Sequence, residues 1–233
     1  MYGIRTITFD LDDTLWAIGP VIRRAEEALY AWLDERFPRV NELHSPEDIV
    51  ELRERVIVEN ASRAHDLTFV RKAVLSHMGM AAGYGDDFVE EAFDVFDRER
   101  NTLELYPDAR VALESLGARY TLIAVTNGNA RLDRIGIDDL FDGFVSARTA
   151  GVAKPARSIF ETAVRTGGAS ADETLHVGDH PETDIQGARA AGLRTVWVNR
   201  HGHDWPRDLA QPDGVVRDLL ELDRLLTHLE QAR

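Results

Sequence analysis

Apolar side chains recur at helical spacing along residues 16–104, which predicts a helical segment. One predicted helix face is formed by Ile22, Ala25, Leu29, Trp32, Leu33 and Phe37. A second helix is expected to begin at Ser45, where a capping hydroxyl is followed by proline and two acids. Two more are predicted, one over 70–78 that stops at Gly79 and one from 87 to 96. We expect a compact bundle of about four helices.

The rest of the chain alternates short apolar segments with helical ones. Strands are predicted at residues 4–10, 120–126, 143–146, 174–177 and 194–198, with a weak one near 214–216. Helices are predicted between them at 108–116, 156–166, 183–191 and 218–229. This order is typical of an α/β fold with a parallel sheet that is covered on both faces. The helical segment is then an insertion after the first strand, and ligands are expected beyond the carboxyl ends of the strands.

Composition narrows the function classes. The 233 residues are 44% hydrophobic, and 41 Asp+Glu against 27 Lys+Arg give a formal charge of −14. Such a chain repels phosphate backbones and anionic lipids, so we expect no nucleic-acid and no membrane partner. We expect a cytoplasmic protein, because charges occupy the start of the chain where an export signal needs an apolar stretch. The absence of cysteine excludes disulfides, zinc–thiolate sites and a cysteine nucleophile.

Two carboxylates, Asp10 and Asp12, close the first predicted strand. One of them can attack a phosphorus centre while the other donates a proton to the leaving oxygen and later takes one from water. The pattern Asp-x-Asp-x-Thr arises by chance in such a composition with a probability on the order of 0.1. An acidic loop between strand and helix is therefore the alternative at this point.

The second strand ends with Thr126, Asn127 and Gly128. A hydroxyl, an exposed backbone N–H and a glycine that allows close approach can receive phosphate oxygens, although a plain turn has the same composition. Lys154 precedes another predicted helix and is one of only two lysines among the 27 basic residues. Its compact ammonium suits the balancing of charge between a phosphoryl group and an attacking carboxylate.

The fourth strand is followed by Asp179 and, five residues later, by Asp184. With Asp10 they offer oxygen ligands for a hard cation such as Mg²⁺. Asp184 can also serve simply as a helix cap. All four segments follow separate strands of one predicted parallel sheet, which favours a common site.

The segments FDLDDTL, VTNGN, AKP and VGDHPETD together resemble the four motifs of the haloacid dehalogenase-like hydrolase superfamily, in the same order. The resemblance implies a Rossmann-like parallel sheet as a core domain of residues 1–15 and 105–233. Residues 16–104 look like the α-helical cap domain of that family. It also implies Mg²⁺ and an aspartyl-phosphate intermediate.

Carried over residue by residue, the resemblance makes Asp10 the nucleophile and a metal ligand. Asp12 becomes the general acid and base, with its backbone carbonyl on the metal. Thr126, Asn127 and Lys154 become the substrate-binding residues, and Asp179 and Asp184 complete the metal ligands, the latter directly or through water.

Details of the motifs narrow the reaction. Family members that cleave carbon–halogen bonds lack the second aspartate of the first motif, so Asp12 favours phosphate chemistry. Members that cleave phosphonates use a cap lysine as a Schiff base. Lys72 is the only lysine of this cap, and a solvated surface position is the better expectation for it. The motifs also look like those of bacterial flavin-mononucleotide (FMN) phosphatases, whereas His180 stands where the family commonly has aspartate.

We therefore expect a Mg²⁺-dependent phosphomonoester hydrolase acting on a small phosphorylated metabolite, with FMN or another nucleoside or sugar monophosphate as substrate. The alternatives are a phosphomutase of the same fold and a catalytically weak regulatory protein that binds phosphometabolites. A monomer or homodimer is expected.

Three other positions carry separate expectations. Trp16 either stacks on a substrate ring or packs a hinge. The His201/His203 pair is expected to be a solvated loop rather than a metal site, and His176 is expected to be a buried core residue.

Overall fold

Six short strands form one fully parallel sheet in the computed structural model, which describes residues 3–231. The strands follow the order β3-β2-β1-β4-β5-β6 across the sheet. Their bounds are Thr6–Phe9 (β1), Thr121–Thr126 (β2), Gly143–Ser146 (β3), Thr174–Gly178 (β4), Arg194–Val198 (β5) and Gly214–Val216 (β6). The strand order reverses beside β1, because β2 lies on one side of it and β4 on the other. A ligand site is expected at this reversal.

Helices cover both faces of the sheet, as residues 122–125 of β2 show. Their side chains point alternately to opposite faces, and all four are fully buried. The helices outside the insertion are Ala109–Gly117 (α6), Leu132–Ile135 (α7), Ala147–Ala150 (α8), Arg157–Gly167 (α9), Gly187–Ala190 (α10) and Leu219–Gln231 (α11). A π-helix, Pro181–Gln186, precedes α10. The predicted α/β fold with a parallel sheet and an inserted helical segment is confirmed.

The helical segment between β1 and α6 packs around its own core. Its helices are Ile18–Arg36 (α1), Pro38–Glu42 (α2), Pro46–Glu59 (α3), Leu67–Ala81 (α4) and Val89–Arg100 (α5). Buried apolar side chains from all five of them form one cluster, which includes Leu29, Val40, Val56, Met78 and Phe96. Ser45 caps α3 as predicted: its side chain accepts from the backbone N–H of Asp48.

The prediction that the third helix of the insertion stops at Gly79 is wrong. Helix α4 continues to Ala81, and Gly79 is buried inside it. A Cβ at this position would overlap the ring of Phe88. The glycine therefore serves close packing inside the insertion and is no helix terminator.

The described chain divides into two compact units. One unit contains residues 3–17, 104–128 and 135–231, and the other contains residues 18–103 and 129–134. The second unit thus includes a short segment that follows β2 in the sequence. No helix within residues 3–231 is both long enough and apolar enough to cross a membrane.

Candidate active site

Polar residues collect where β1, β2 and β4 end. The register pairs Phe9 with Ala124 on one side and with Val177 on the other, so these three strands end at similar heights. Asp10 is the first residue after β1, and its backbone N–H donates to the carbonyl of Val177. Thr126 ends β2, and Asp179 follows β4 directly.

Lys154 lies at the centre of this cluster. Its ammonium Nζ lies 2.5 Å from Oδ1 of Asp10 and 2.6 Å from Oδ1 of Asp184, and it also donates to the carbonyl of Val125 at 3.2 Å. Burial acts to lower the pKa of Lys154, but the charges of Asp10 and Asp184 overcome it and raise that pKa above its ordinary value. The lysine is therefore a permanent cation held between two buried carboxylates.

Three carboxylates meet around one point. Oxygens of Asp10, Asp179 and Asp184 lie within 4.8 Å of one another. Burial, reinforced by Asp184 and Asp179, raises the pKa of Asp10 in spite of Lys154. Burial, with the charges of Asp184 and Asp13, raises the pKa of Asp179 to about 7. The three carboxyl groups outnumber the one ammonium beside them, and their oxygen donors fit a hard divalent cation such as Mg²⁺.

Asp184 behaves differently from the other two carboxylates. Burial acts to raise its pKa, but Lys154 and His176 outweigh that effect and lower the pKa below its ordinary value. It is held in a π-helical turn in which the backbone N–H groups of both Asp184 and Ile185 donate to the carbonyl of His180. The backbone N–H of His180 in turn donates to Oδ2 of Asp184 at 3.0 Å. This wide turn directs the Asp184 carboxylate back toward the strand ends.

Gly178, the residue before Asp179, makes room for the Asp184 carboxylate. A Cβ on Gly178 would lie 2.5 Å from Oδ2 of Asp184. A Cβ atom cannot lie so close to an oxygen unless one of the two atoms is displaced. Gly178 is thus required for space.

Asn127 holds Lys154 through its side-chain amide. Its Nδ2 donates to the Lys154 carbonyl at 3.0 Å, and its Oδ1 accepts from the Lys154 backbone N–H at 2.7 Å. The hydroxyl of Thr126 accepts from the N–H of Gly128 at 2.8 Å. The structure therefore brings the second and third predicted segments together, and substrate binding by Thr126, Asn127 and Lys154 remains a prediction.

The loop after β1 contributes more than its two predicted carboxylates. Thr14 is fully buried, and its hydroxyl lies 3.1 Å from Oδ2 of Asp10 and 3.3 Å from Oδ1 of Asp179. Asp12 lies on the same loop, half-buried, and its side chain is outside the three-carboxylate group. The positive φ of 61° at Asp13 gives the loop its tight path.

Three further residues are connected to the site by hydrogen bonds: Thr14, Trp16 and His176. The sequence predicted stacking or hinge packing for Trp16 and a buried core position for His176, but it predicted none of these hydrogen bonds. Trp16 is fully buried, so it does not stack on a substrate ring in this structure. His176 is buried beside Asp184, with Nε2 3.3 Å from Oδ1 of that residue and Nδ1 2.8 Å from the Thr8 hydroxyl. Only the position of Thr14 within Asp-x-Asp-x-Thr was a usable signal.

Other predicted positions lie apart from this cluster. His201 and His203 are exposed and belong to no metal-competent group among residues 3–231. Lys72 is paired with Glu90 at 2.6 Å and lies over the ring of Phe93, and its side chain is 28% exposed. The lysine is thus engaged at the surface of its own unit.

Comparison with known proteins places these features in a family. The sequence profile of the haloacid dehalogenase-like hydrolases matches residues 4–192. The 5-amino-6-(5-phospho-D-ribitylamino)uracil phosphatase YigB of Escherichia coli (strain K12) is 29% identical over 99% of this chain and 93% of its own length. Human N-acylneuraminate-9-phosphatase is 28% identical over 97% of this chain and 95% of its own length.

A solved structure is similar over the whole fold. The crystal structure named as a 2-haloacid dehalogenase from Pseudomonas syringae pv. Tomato DC3000 is 37% identical, with a TM-score of 0.92. The similarity covers 97% of this chain and 99% of that one. The relatives thus carry two kinds of name, phosphatase and dehalogenase.

Proposed function

Because this chain belongs to the haloacid dehalogenase-like hydrolase family, we propose that it is a Mg²⁺-dependent phosphomonoesterase acting on a small phosphorylated metabolite. The curated relatives are named as phosphatases, which confirms the sequence-based prediction of a hydrolase of phosphoric monoesters. Dependence on Mg²⁺, an aspartyl-phosphate intermediate and the particular substrate are parts of the proposal.

One observation carries the proposal: Asp10, Lys154, Asp179 and Asp184 lie together at the carboxyl end of one sheet, with the Asp12 carboxyl on the same loop as Asp10. A carboxylate nucleophile that attacks a phosphate ester must approach another anion. Positive charge beside it lowers the barrier to that approach. Lys154 supplies one such charge, and a divalent cation held by the three carboxylates would supply the rest when bound.

The proposed chemistry has two steps. A carboxylate oxygen of Asp10 attacks phosphorus, the bond from phosphorus to the ester oxygen breaks, and Asp12 transfers its proton to that oxygen. Asp12 then accepts a proton from water, whose oxygen attacks the phosphorus of the acyl phosphate and releases inorganic phosphate and Asp10. The Thr126 hydroxyl, the backbone N–H of Asn127 and the Lys154 ammonium donate to the phosphoryl oxygens during both steps.

The substrate class proposed is a phosphate ester of a polyhydroxylated small molecule. The named substrates of the two phosphatases described above carry the phosphate on a ribityl chain and on a sugar acid, respectively. FMN also carries its phosphate on a ribityl chain, and it remains our first candidate. Residues 16–104 are proposed as the cap domain, with 1–15 and 105–233 as the core; of these, residues 1, 2, 232 and 233 lie outside the described part.

A second candidate function is cleavage of a carbon–halogen bond, because a similar whole-chain structure carries that name. Halide leaves as a stable anion, whereas an alkoxide must be protonated as it leaves. Asp12 is the group that can supply this proton, and a dehalogenase has no use for it. Phosphate-ester hydrolysis is therefore the better-supported candidate.

The test is a panel assay with Mg²⁺ that measures both phosphate and halide release. The panel contains FMN, other ribityl, sugar and nucleoside monophosphates, and a 2-haloacid. Release of phosphate from at least one ester, lost by about 10³-fold or more in Asp10→Asn, is expected. The matched control is Asp13→Asn, which changes the same side chain on the same loop, retains a residue that tolerates positive φ and keeps turnover of the wild-type order.

Other outcomes assign the alternatives. Halide release without phosphate release identifies a dehalogenase. Transfer of the phosphoryl group within or between substrates, without free phosphate, identifies a phosphomutase. Binding of metabolite and Mg²⁺ without turnover identifies a regulatory binding protein.

A further inference from the structure

A buried indole holds the carboxyl group that is proposed to move the proton. Nε1 of Trp16 donates a hydrogen bond to Oδ1 of Asp12 at 2.8 Å, and the Trp16 side chain is fully buried. We propose that Trp16 is a positioning residue for the general acid: its N–H orients the Asp12 carboxyl and determines which of its two oxygens carries the transferred proton. This inference rests on the proposed phosphatase function.

The loop presents these two side chains to each other by its backbone path. The backbones of residues 12 and 16 lie side by side, and the N–H of Asp13 donates to the carbonyl of Trp16 at 2.8 Å. The N–H of Leu15 donates to the carbonyl of Leu11 at 2.8 Å. The carboxyl and the indole are thus carried on one tight turn, so their relative placement is set within a few residues.

Contacts from the rest of the sheet unit hold the same turn. The guanidinium of Arg200 donates to the Thr14 carbonyl at 2.9 Å through Nη2, and it forms a bidentate pair with Asp108. The N–H of Tyr106 donates to the carbonyl of Leu15 at 2.8 Å. With its backbone fixed in this way, the remaining freedom at Asp12 is rotation of its side chain, and the indole N–H restricts that rotation.

The chemistry of the indole assigns the proton. An indole N–H only donates, and the carbonyl oxygen of a neutral carboxyl group accepts more strongly than its hydroxyl oxygen. When Asp12 is neutral, the Trp16 contact on Oδ1 therefore favours its hydrogen on Oδ2, and this is the proton that passes to the ester oxygen as the bond to phosphorus breaks. The carboxylate left behind keeps the Trp16 hydrogen bond on Oδ1, and Oδ2 then takes the proton from water in the second step.

A positioning role for Trp16 predicts a loss of rate that depends on the substrate, whereas a purely structural role does not. Nitrophenolate leaves phosphorus without protonation, whereas an alkoxide needs the proton from Asp12. Removal of the N–H by Trp16→Phe is expected to slow the first step, measured as alcohol release in a single turnover, about 10-fold or more for FMN or another alkyl phosphate. With p-nitrophenyl phosphate the release of nitrophenolate in that same step slows by no more than about twofold, and the concentration of Mg²⁺ needed for half activation is unchanged.

The matched control is Trp205→Phe. The Trp205 indole also donates to an oxygen, the carbonyl of Leu209 at 3.1 Å, and its removal is expected to lower the two rates by the same factor. Where Trp16→Phe fails to fold, 3-benzothienylalanine at position 16 keeps the ring shape and replaces the N–H by sulfur. Equal losses of the first-step rate with the two substrates in either position-16 variant overturn the inference.

Failure of the inference is distinguishable from failure of the proposed function. If the unaltered enzyme releases phosphate from both esters and the variant loses both rates equally, the phosphatase assignment stands and only the role of Trp16 is refuted. If the unaltered enzyme releases phosphate from neither ester, the proposed function is refuted as well.

Discussion

Charged side chains are buried at the carboxyl end of the sheet and partly or largely exposed at its amino end. At the carboxyl end, the Lys154 side chain is 2% exposed and contacts two buried carboxylates. At the amino end, Arg5 precedes β1 and pairs with Glu173 at 3.8 Å, but its side chain is 67% exposed. Arg119 precedes β2 and pairs with Asp223 and Glu230, also with part of its side chain in solvent.

Ion pairs at the amino end are solvated by water, whereas the buried charges at the carboxyl end depend on protein groups for their stabilisation. Exposed pairs contribute little, because water screens them and solvates each partner well. Burial of charge is costly, and at the carboxyl end the cost appears as raised pKa values at Asp10 and Asp179. Shifts of this kind are concentrated at functional sites. Strand-end position is common to both groups of residues, and burial distinguishes them.

The largest effect is expected from removal of the buried cation. In Lys154→Met, two buried carboxylates lose their partner, which costs about 3–5 kcal/mol of unfolding free energy at neutral pH. Activity is expected to fall about 10³-fold or more. Denaturant unfolding of the metal-free protein and kinetics at saturating Mg²⁺ measure the two losses.

The matched control is the other lysine of the chain. Lys72→Met removes a half-exposed pair with Glu90 and is expected to change the unfolding free energy by about 1 kcal/mol or less. Comparable destabilisation by the two substitutions would contradict the comparison between buried and exposed charge.

An intermediate effect is expected from pH. The pKa of Asp179 is about 7 in the metal-free fold against an ordinary value of 3.8, so the folded state binds this proton more tightly than the unfolded state. Stability of the metal-free protein should therefore fall as pH rises from about 4 to about 7. Asp10 acts in the same direction, whereas the lowered pKa of Asp184 matters only as pH falls below its ordinary value.

The same proton competes with the metal. Below about pH 7, Mg²⁺ affinity should weaken by up to about tenfold for each pH unit. Thermal unfolding and calorimetric titration with Mg²⁺ between about pH 5 and pH 8 measure both trends. Mg²⁺ affinity that stays constant over this range would show that no raised carboxyl pKa is linked to metal binding.

The smallest effect is expected at the amino end of the sheet. Arg119→Met removes contacts with Asp223 and Glu230, and the loss in unfolding free energy is expected to be about 1 kcal/mol or less. It should shrink further at high salt, and phosphate release should be unchanged. A loss of activity in this variant would mean that charge at the amino end also serves the reaction.

Much of the sheet was predictable because buried strands and flanking helices leave a periodic signal. The strands at 143–146 and 194–198 have the predicted bounds, and β2 begins one residue later than predicted. The region predicted as one helix over 183–191 begins at Pro181 as a π-helix instead. The side chain of His180 accepts from the backbone N–H groups of Glu182 and Thr183 there. The spacing of apolar residues carries no information about such a cap.

The candidate site also has one part that the sequence predicted and another that it did not. Asp10, Lys154, Asp179 and Asp184 were identifiable because each follows or precedes a predicted element at the same sheet edge. The hydrogen bonds from Trp16 to Asp12, from Asn127 to the Lys154 backbone and between His176 and Asp184 were not predictable. They depend on side-chain rotamers and on contacts within tight turns, for which spacing in the sequence carries no information.

The absence of a side chain at Gly178 has a consequence for protein engineering. A designer who grafted the four charged side chains onto another parallel sheet would reproduce the formal inventory but not the arrangement, unless the strand beneath them also ended without a side chain. The position without a side chain, which leaves room for the Asp184 carboxylate, must be designed first, and the ligands can be chosen only afterwards.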